Sequence, residues 1–179
     1  MGKKGDYLIS SNMADYKSSV VKPEDFEQFW RETLEETERV ALNPRIVLDP
    51  MRSNDDIEVF QARYDSYQSL EIAGWYARPR NCTRPLPGLL FVPGYVSEPK
   101  LPTDLAREGY AVFSAAPRNK LRSNMVFNPG YPGLLTHNIE SRVTYGYRGF
   151  YMDAVRAFDF LYQMPEVDEH RLGVLGGSQ

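Results

Sequence analysis

The stretch that most restricts the fold is the end of the chain, where a short apolar run, Leu172-Gly173-Val174-Leu175, passes straight into Gly176-Gly177-Ser178-Gln179. Such a run reads as a buried strand feeding a sharp turn with a serine at its tip. Gly176, Gly177, Ser178 and Gln179 occupy four of the five positions of the nucleophile-elbow pattern Gly-x-Ser-x-Gly. In that turn the serine Oγ stands clear of the backbone, and small flanking residues let a following helix pack close to the strand. The backbone N–H of Gln179 is then aimed where negative charge grows on an acyl oxygen. The plain alternative is a glycine-rich turn carrying an idle serine, and the rest of the chain has to separate the two.

Two runs of the same kind lie upstream. Leu89-Leu90-Phe91-Val92 and Tyr110 to Ala116 are continuous apolar segments, the mark of strands buried on both faces, and the first turns out through Pro93-Gly94-Tyr95. Leu101 to Glu108, closed by Gly109, is predicted as a short helix between them. Ile57 to Tyr64 alternates, and Leu70 to Arg78 reads as its partner in an antiparallel hairpin. Tyr151, Ala154, Val155, Phe158, Leu161 and Tyr162 mark one face of a helix over 145–163, stopped by Met164-Pro165. Near the start, Pro23-Glu24-Asp25 opens a helix that buries Phe26, Phe29, Trp30, Leu34 and Thr37, after a polar arm over 1–22. The long stretch from Pro117 to Arg142 has no clear period and is read as a functional loop.

These elements predict an α/β fold over 23–179: a mainly parallel sheet opened by an antiparallel hairpin, with helices on both faces. Ligands in such sheets bind at the carboxyl ends of the strands, where Pro93-Gly94-Tyr95 and Ser178 both fall.

Composition narrows the partners. With 42% hydrophobic and 25% charged residues, 179 residues suffice for one sizeable core, and a net charge of -3 with scattered Lys and Arg argues against nucleic acid. The single cysteine, Cys82, permits no intrachain disulfide and favours a reducing, cytoplasmic setting. No stretch reaches the ~18 apolar residues of a membrane span, and no nucleotide or metal motif occurs, so no cofactor or metal is expected. His137 and His170 read as loop-anchoring or surface histidines, and Asp153 and Asp168 as helix-surface and turn acids. Arg118, at the end of a buried strand, is placed to brace the neighbouring loop through its fork of donors.

Read together, several segments resemble the acetyl xylan esterase and cephalosporin C deacetylase family of α/β-hydrolase carbohydrate esterases. The resemblance is carried by Tyr145-Gly146-Tyr147-Arg148, Asp153-Ala154-Val155-Arg156-Ala157, Pro165-Glu166-Val167-Asp168 and Gly176-Gly177-Ser178-Gln179, and by Asp25-Phe26 and Phe29-Trp30 in the first helix. It implies an α/β-hydrolase fold whose C-terminal part is missing here, with Ser178 as acyl-accepting nucleophile. The backbone N–H groups of Tyr95 and Gln179 would form the oxyanion hole, supported by Gly94, Gly176, Gly177 and Arg118. The implied substrate is a small acetyl ester or acetylated oligosaccharide, and the implied assembly a ring-like homo-oligomer. In that family's order the triad acid and histidine follow the serine, so this chain alone is expected to be inactive.

Two departures stand out. Pro93 replaces the histidine of the family's His-Gly-Tyr, and Arg118-Asn119-Lys120 replaces its Arg-Gly-Gln, with Lys120 adding a charge to the loop. They leave open another α/β-hydrolase, of peptidase or dienelactone-hydrolase type, or a non-catalytic remnant of the fold.

Overall fold

The computed structural model describes residues 17–95 and 97–178. The chain divides into two units, Met1–Thr33 and Leu34–Gln179. Helix α1 (Phe26–Glu38) begins in the first and ends in the second. Its buried stripe includes Thr33 and Thr37, while Phe26 and Leu34, expected on the buried face, are exposed. Thr33 returns its hydroxyl to the Phe29 carbonyl at 2.7 Å, which satisfies that polar group locally. Of the expected arm, residues 1–16 lie outside the described residues, and 17–22 are exposed.

The second unit is built on a six-stranded sheet in the order β1-β2-β3-β5-β4-β6. The strands are β1 (Arg45–Leu48), β2 (Ile57–Asp65), β3 (Glu71–Pro79), β4 (Leu86–Val92), β5 (Ala111–Ala116) and β6 (Val167–Gly176). The hairpin appears as expected, with β2 antiparallel to β3 and Phe60 opposite Tyr76. Within this stretch, however, the sheet is mixed and not mainly parallel. β1–β2, β2–β3 and β3–β5 are antiparallel, and only β4–β5 and β4–β6 are parallel. One cause is β1, four exposed residues that pair with β2 and show no alternation to betray them. The other is that β3 pairs with β5 across the hairpin's inner edge.

Side-chain alternation gives the sheet two faces, and a helix covers each. Helix α2 (Thr103–Arg107) brings Ala106 onto Ile57, Val59, Trp75 and Ala77. Gly109, at φ +99°, ends it with the left-handed residue that glycine adopts without penalty. On the other face α3 (Gly146–Tyr162) lays Ala157, Phe160 and Leu161 against Phe60, Tyr64, Tyr76, Leu90 and Phe113. Phe160 meets Phe113 with ring centroids 4.4 Å apart and Tyr76 edge-on at 6.1 Å.

The buried face of α3 is only partly the one predicted. Leu161 is buried and Ala154 and Phe158 are half-buried, but Tyr151, Val155 and Tyr162 are exposed, and the helix also buries Gly149, Phe150, Asp153, Arg156, Ala157 and Phe160. The helix is apolar on more than one side, and periodicity alone cannot choose between faces; a buried ion pair at Asp153 does. β6 also departs from expectation. Among the described residues it pairs only with β4, and Val174 and Leu175 are 59% and 43% exposed, so it is an edge strand here and not one buried on both faces.

Candidate active site

Because β4 and β6 are neighbouring parallel strands, with Val92 opposite Gly176, the turns that leave them emerge side by side at one edge of the sheet. Gly94 follows β4 and Ser178 follows β6. A Cβ added at Gly94 would lie 2.9 Å from the Gly177 carbonyl oxygen, 3.2 Å from Ser178 Cβ and 3.8 Å from its Oγ. Only a residue without a side chain lets the two turns approach this closely. Ser178 is exposed and holds φ at 72°, a left-handed conformation that serine rarely adopts and that costs on the order of 1–3 kcal/mol. Gly176 and Gly177, also exposed, complete the turn; Gln179 lies outside the described residues.

Ser178 opens into a cavity of about 360 Å³ shared with Tyr95, Leu135, Tyr145, Tyr147 and Tyr151. Its wall is a tyrosine cluster. Tyr145 stacks on Tyr147 at 5.4 Å, and Tyr151 meets Tyr147 edge-on at 5.7 Å. The Tyr145 hydroxyl donates to the Leu135 carbonyl at 2.9 Å, tying the long loop to the start of α3. Burial, and then the neighbouring Tyr151, push that hydroxyl's pKa above its ordinary value, so it stays neutral at physiological pH. Sequence reading gave these tyrosines no role at the site; the available signal was the Tyr145, Tyr147, Tyr151 spacing at the entrance of a helix.

Two buried cations follow β5, the strand next to β4. Arg118, 2% exposed, follows β5 and pairs with Asp153 of α3 at 2.8 Å through Nε, with a second bond from Nη2 at 3.0 Å. The Arg118 N–H and the Ser66 hydroxyl also donate to the Asp153 carboxylate, at 2.9 and 2.6 Å. The fork continues to the Gln68 side chain and the Tyr67 carbonyl, both at 3.0 Å. Arg118 thus ties together the segments around it, and Asp153, read as a helix-surface acid, is fully buried and is the arginine's counter-ion. Gly149 makes room for the pair, since a Cβ there would sit 2.0 Å from Arg118 Nη1.

Lys120 is the second cation. It is 1% exposed, and its Nζ donates to the carbonyl oxygens of Gly94 at 2.5 Å and Tyr95 at 2.6 Å. Asn119, between the two cations, has φ 75°, which explains how asparagine stands where the resembled family has glycine: its short polar side chain tolerates that region.

The two histidines lie elsewhere. His137 is half-buried edge-on to Phe127, and its carbonyl accepts from Gly146 N–H at 3.0 Å, so it anchors the loop. His170 is exposed beside Glu169 on β6, before the strand reaches the serine turn. Neither lines the Ser178 cavity. A larger cavity, of about 570 Å³, lies at the opposite edge, lined by Pro79, Cys82, Arg84, Leu86, Gly109 and Arg171. Leu86 begins β4 and Gly109 precedes β5, so it sits at the amino ends of the parallel strands, where α/β sheets do not place their ligands.

The fold of the chain is shared with solved structures. The acetyl xylan esterase from Paenibacillus sp. R4 superposes with a TM-score of 0.84 at 30% identity, over 94% of this chain and 56% of that one. Acetyl xylan esterase 1 from Thermoanaerobacterium sp. JW/SL YS485 has a TM-score of 0.76 at 22% identity, over 88% of this chain and 51% of that one. Acetyl esterase Axe7A of Xylanibacter ruminicola is 23% identical over 172 residues, 88% of this chain and 38% of its own length. The chain therefore spans between 38% and 56% of these relatives' lengths, and over that span its sheet has the α/β-hydrolase fold. No helix among the described residues is long and apolar enough to cross a membrane. The sequence profile described as acetyl xylan esterase (AXE1) matches residues 8–179, nearly the whole chain, and the chain belongs to that family.

Proposed function

We propose that the polypeptide carrying this chain is a serine esterase that removes acetyl groups from sugars or related small esters. The observation that carries the proposal is the meeting of Gly94 with Ser178 at the mouth of a tyrosine-walled cavity. Ser178 Oγ attacks the acetyl carbonyl, the carbonyl oxygen takes up negative charge, and the N–H groups of Tyr95 and Gln179 receive it. Collapse of this intermediate releases the sugar alcohol and leaves an acetyl-serine, which water hydrolyses to acetate. The strained backbone at Ser178 holds the hydroxyl outward throughout. Tyrosine faces suit a sugar, whose ring carries apolar C–H faces and a rim of hydroxyls.

Neither histidine of this chain lines the cavity, so the proton of Ser178 goes to a base supplied from elsewhere in the polypeptide or its assembly. The family resemblance favours a homo-oligomer. The test is acetate release from acetylated xylo-oligosaccharide and from p-nitrophenyl acetate by the polypeptide that carries this chain. Ser178→Ala should reduce kcat at least ~10³-fold and abolish labelling by a fluorophosphonate. Retention of turnover and labelling in the alanine variant would refute the assignment.

A further inference from the structure

The bonds of Lys120 bear on one peptide unit. The Gly94 carbonyl and the Tyr95 N–H belong to the same peptide plane, and in a trans peptide they point in opposite directions. Gly94–Tyr95 is trans, the cis bond among the described residues being Tyr131–Pro132. The Gly94 oxygen accepts from Lys120 Nζ at 2.5 Å and from the Ser97 N–H at 3.1 Å, and Lys120 also holds the next carbonyl, that of Tyr95. Among the described residues nothing accepts from the Tyr95 N–H. A buried ammonium on the carbonyl side both fixes the plane and draws electrons from the amide nitrogen, which strengthens the N–H as a donor.

We propose that Lys120 is a positioning residue of the oxyanion hole: it clamps the Gly94–Tyr95 peptide by its carbonyl so that the Tyr95 N–H faces the acyl oxygen. This rests on the esterase reading of Ser178. The clamp is built across chain segments. Glu98, whose charge acts on the ammonium from the loop after β4, accepts from the Leu121 N–H at 3.1 Å and so links that loop to the residue after Lys120. Arg118, two residues before Lys120, is already neutralised by Asp153 and does not compete for Glu98. Burial lowers the Lys120 pKa from 10.5, with Glu98 opposing the shift, so the ammonium gives up its charge at a lower pH than a free lysine.

The experiment compares two substitutions in the polypeptide that carries this chain, with Ser178→Ala as control. Lys120→Met keeps the unbranched side chain, one atom shorter, and removes the donors; Lys120→Gln keeps two N–H donors and removes the charge. Lys120→Met should lower kcat for p-nitrophenyl acetate about 10²-fold, as loss of one oxyanion donor does, with KM within about twofold. Lys120→Gln should recover kcat to within about tenfold of the parent and lose the parent's fall in kcat at alkaline pH, the limb set by Lys120 deprotonation. A Lys120→Met kcat within about threefold of the parent overturns the inference. Should that variant fail to fold, a Lys120→Gln enzyme that keeps the parent's alkaline limb overturns it equally. Turnover surviving in Ser178→Ala instead points to failure of the esterase reading, whatever Lys120 does.

Discussion

Arg118 and Lys120 stand two residues apart after β5, both almost wholly removed from water, yet the protein satisfies them in different ways. Arg118 has a full counter-charge, and each donor it spends goes to a carboxylate, a carbonyl or an amide that belongs to the scaffold. Lys120 has no buried carboxylate; it is held by two carbonyl dipoles of a turn at the candidate site, with Glu98 acting from the surface. Removing one member of a buried ion pair strands its partner's charge, whereas removing the lysine strands only carbonyls. The contrast teaches which cation holds the fold and which orients a working part. Arg118 joins β5, α3 and the 66–68 turn, so its loss should be felt in stability. Lys120 touches one turn, so its loss should be felt chiefly in rate.

Variants can break that division. The largest stability effect expected is from Arg118→Met, which leaves the Asp153 carboxylate buried and uncompensated: about 3–5 kcal/mol in urea unfolding, with the cooperative transition shifted to lower denaturant. A loss below about 1 kcal/mol would mean that water reaches Asp153 and that the pair is not structural. Gly149→Ala should cost less, on the order of 1–3 kcal/mol, because its methyl group would meet Arg118 Nη1 at 2.0 Å and push the guanidinium off its partners. If Gly149→Ala left unfolding unchanged, the close packing of α3 against Arg118 would be wrong. Neither substitution touches the Lys120 clamp, so folded Gly149→Ala enzyme should keep its kcat within about threefold of the parent.

What the sequence disclosed about these two cations is instructive. Arg118 was legible because it ends a run of apolar residues, and a guanidinium in such a place needs a partner. The identity of the partner was not, since Asp153 sits 35 positions away on a helix with apolar residues on several sides. Lys120 was legible only as an added charge, because nothing local reveals that its chain turns inward to two carbonyls 25 and 26 positions earlier. The same limit runs through the fold. β2, β3, β4, β5 and α2 follow their alternation, apolar runs and terminal glycine, while β1 escaped because it is short and exposed, and its only cue is its pairing. At the site, the serine turn and the Gly94 corner carry residue-type signatures, but the tyrosine wall comes from stacking between side chains that the pattern treats as core.

The smallest effect expected concerns pH, and it is read at Lys120. Burial lowers the Lys120 pKa below 10.5 in the folded chain, so between that lowered value and 10.5 the unfolded state binds more protons than the native one. Stability must then rise with pH across this window, by at most about 1.4 kcal/mol per pH unit, and level off above 10.5. Tyr64 runs the other way. It is fully buried, with its hydroxyl on the Asp153 carbonyl at 2.6 Å, and burial raises its pKa well above 10.0, so its contribution is complete below pH 10 and is lost as pH rises beyond it. The raw unfolding free energy therefore mixes opposing slopes near pH 10, but the difference between parent and Lys120→Gln cancels the tyrosine contribution and keeps the lysine one. That difference, measured by urea unfolding at closely spaced pH values, should grow in the parent's favour as pH approaches 10.5. A flat difference would mean that the lysine's proton affinity is the same folded and unfolded, and that water, not the turn carbonyls alone, solvates its ammonium.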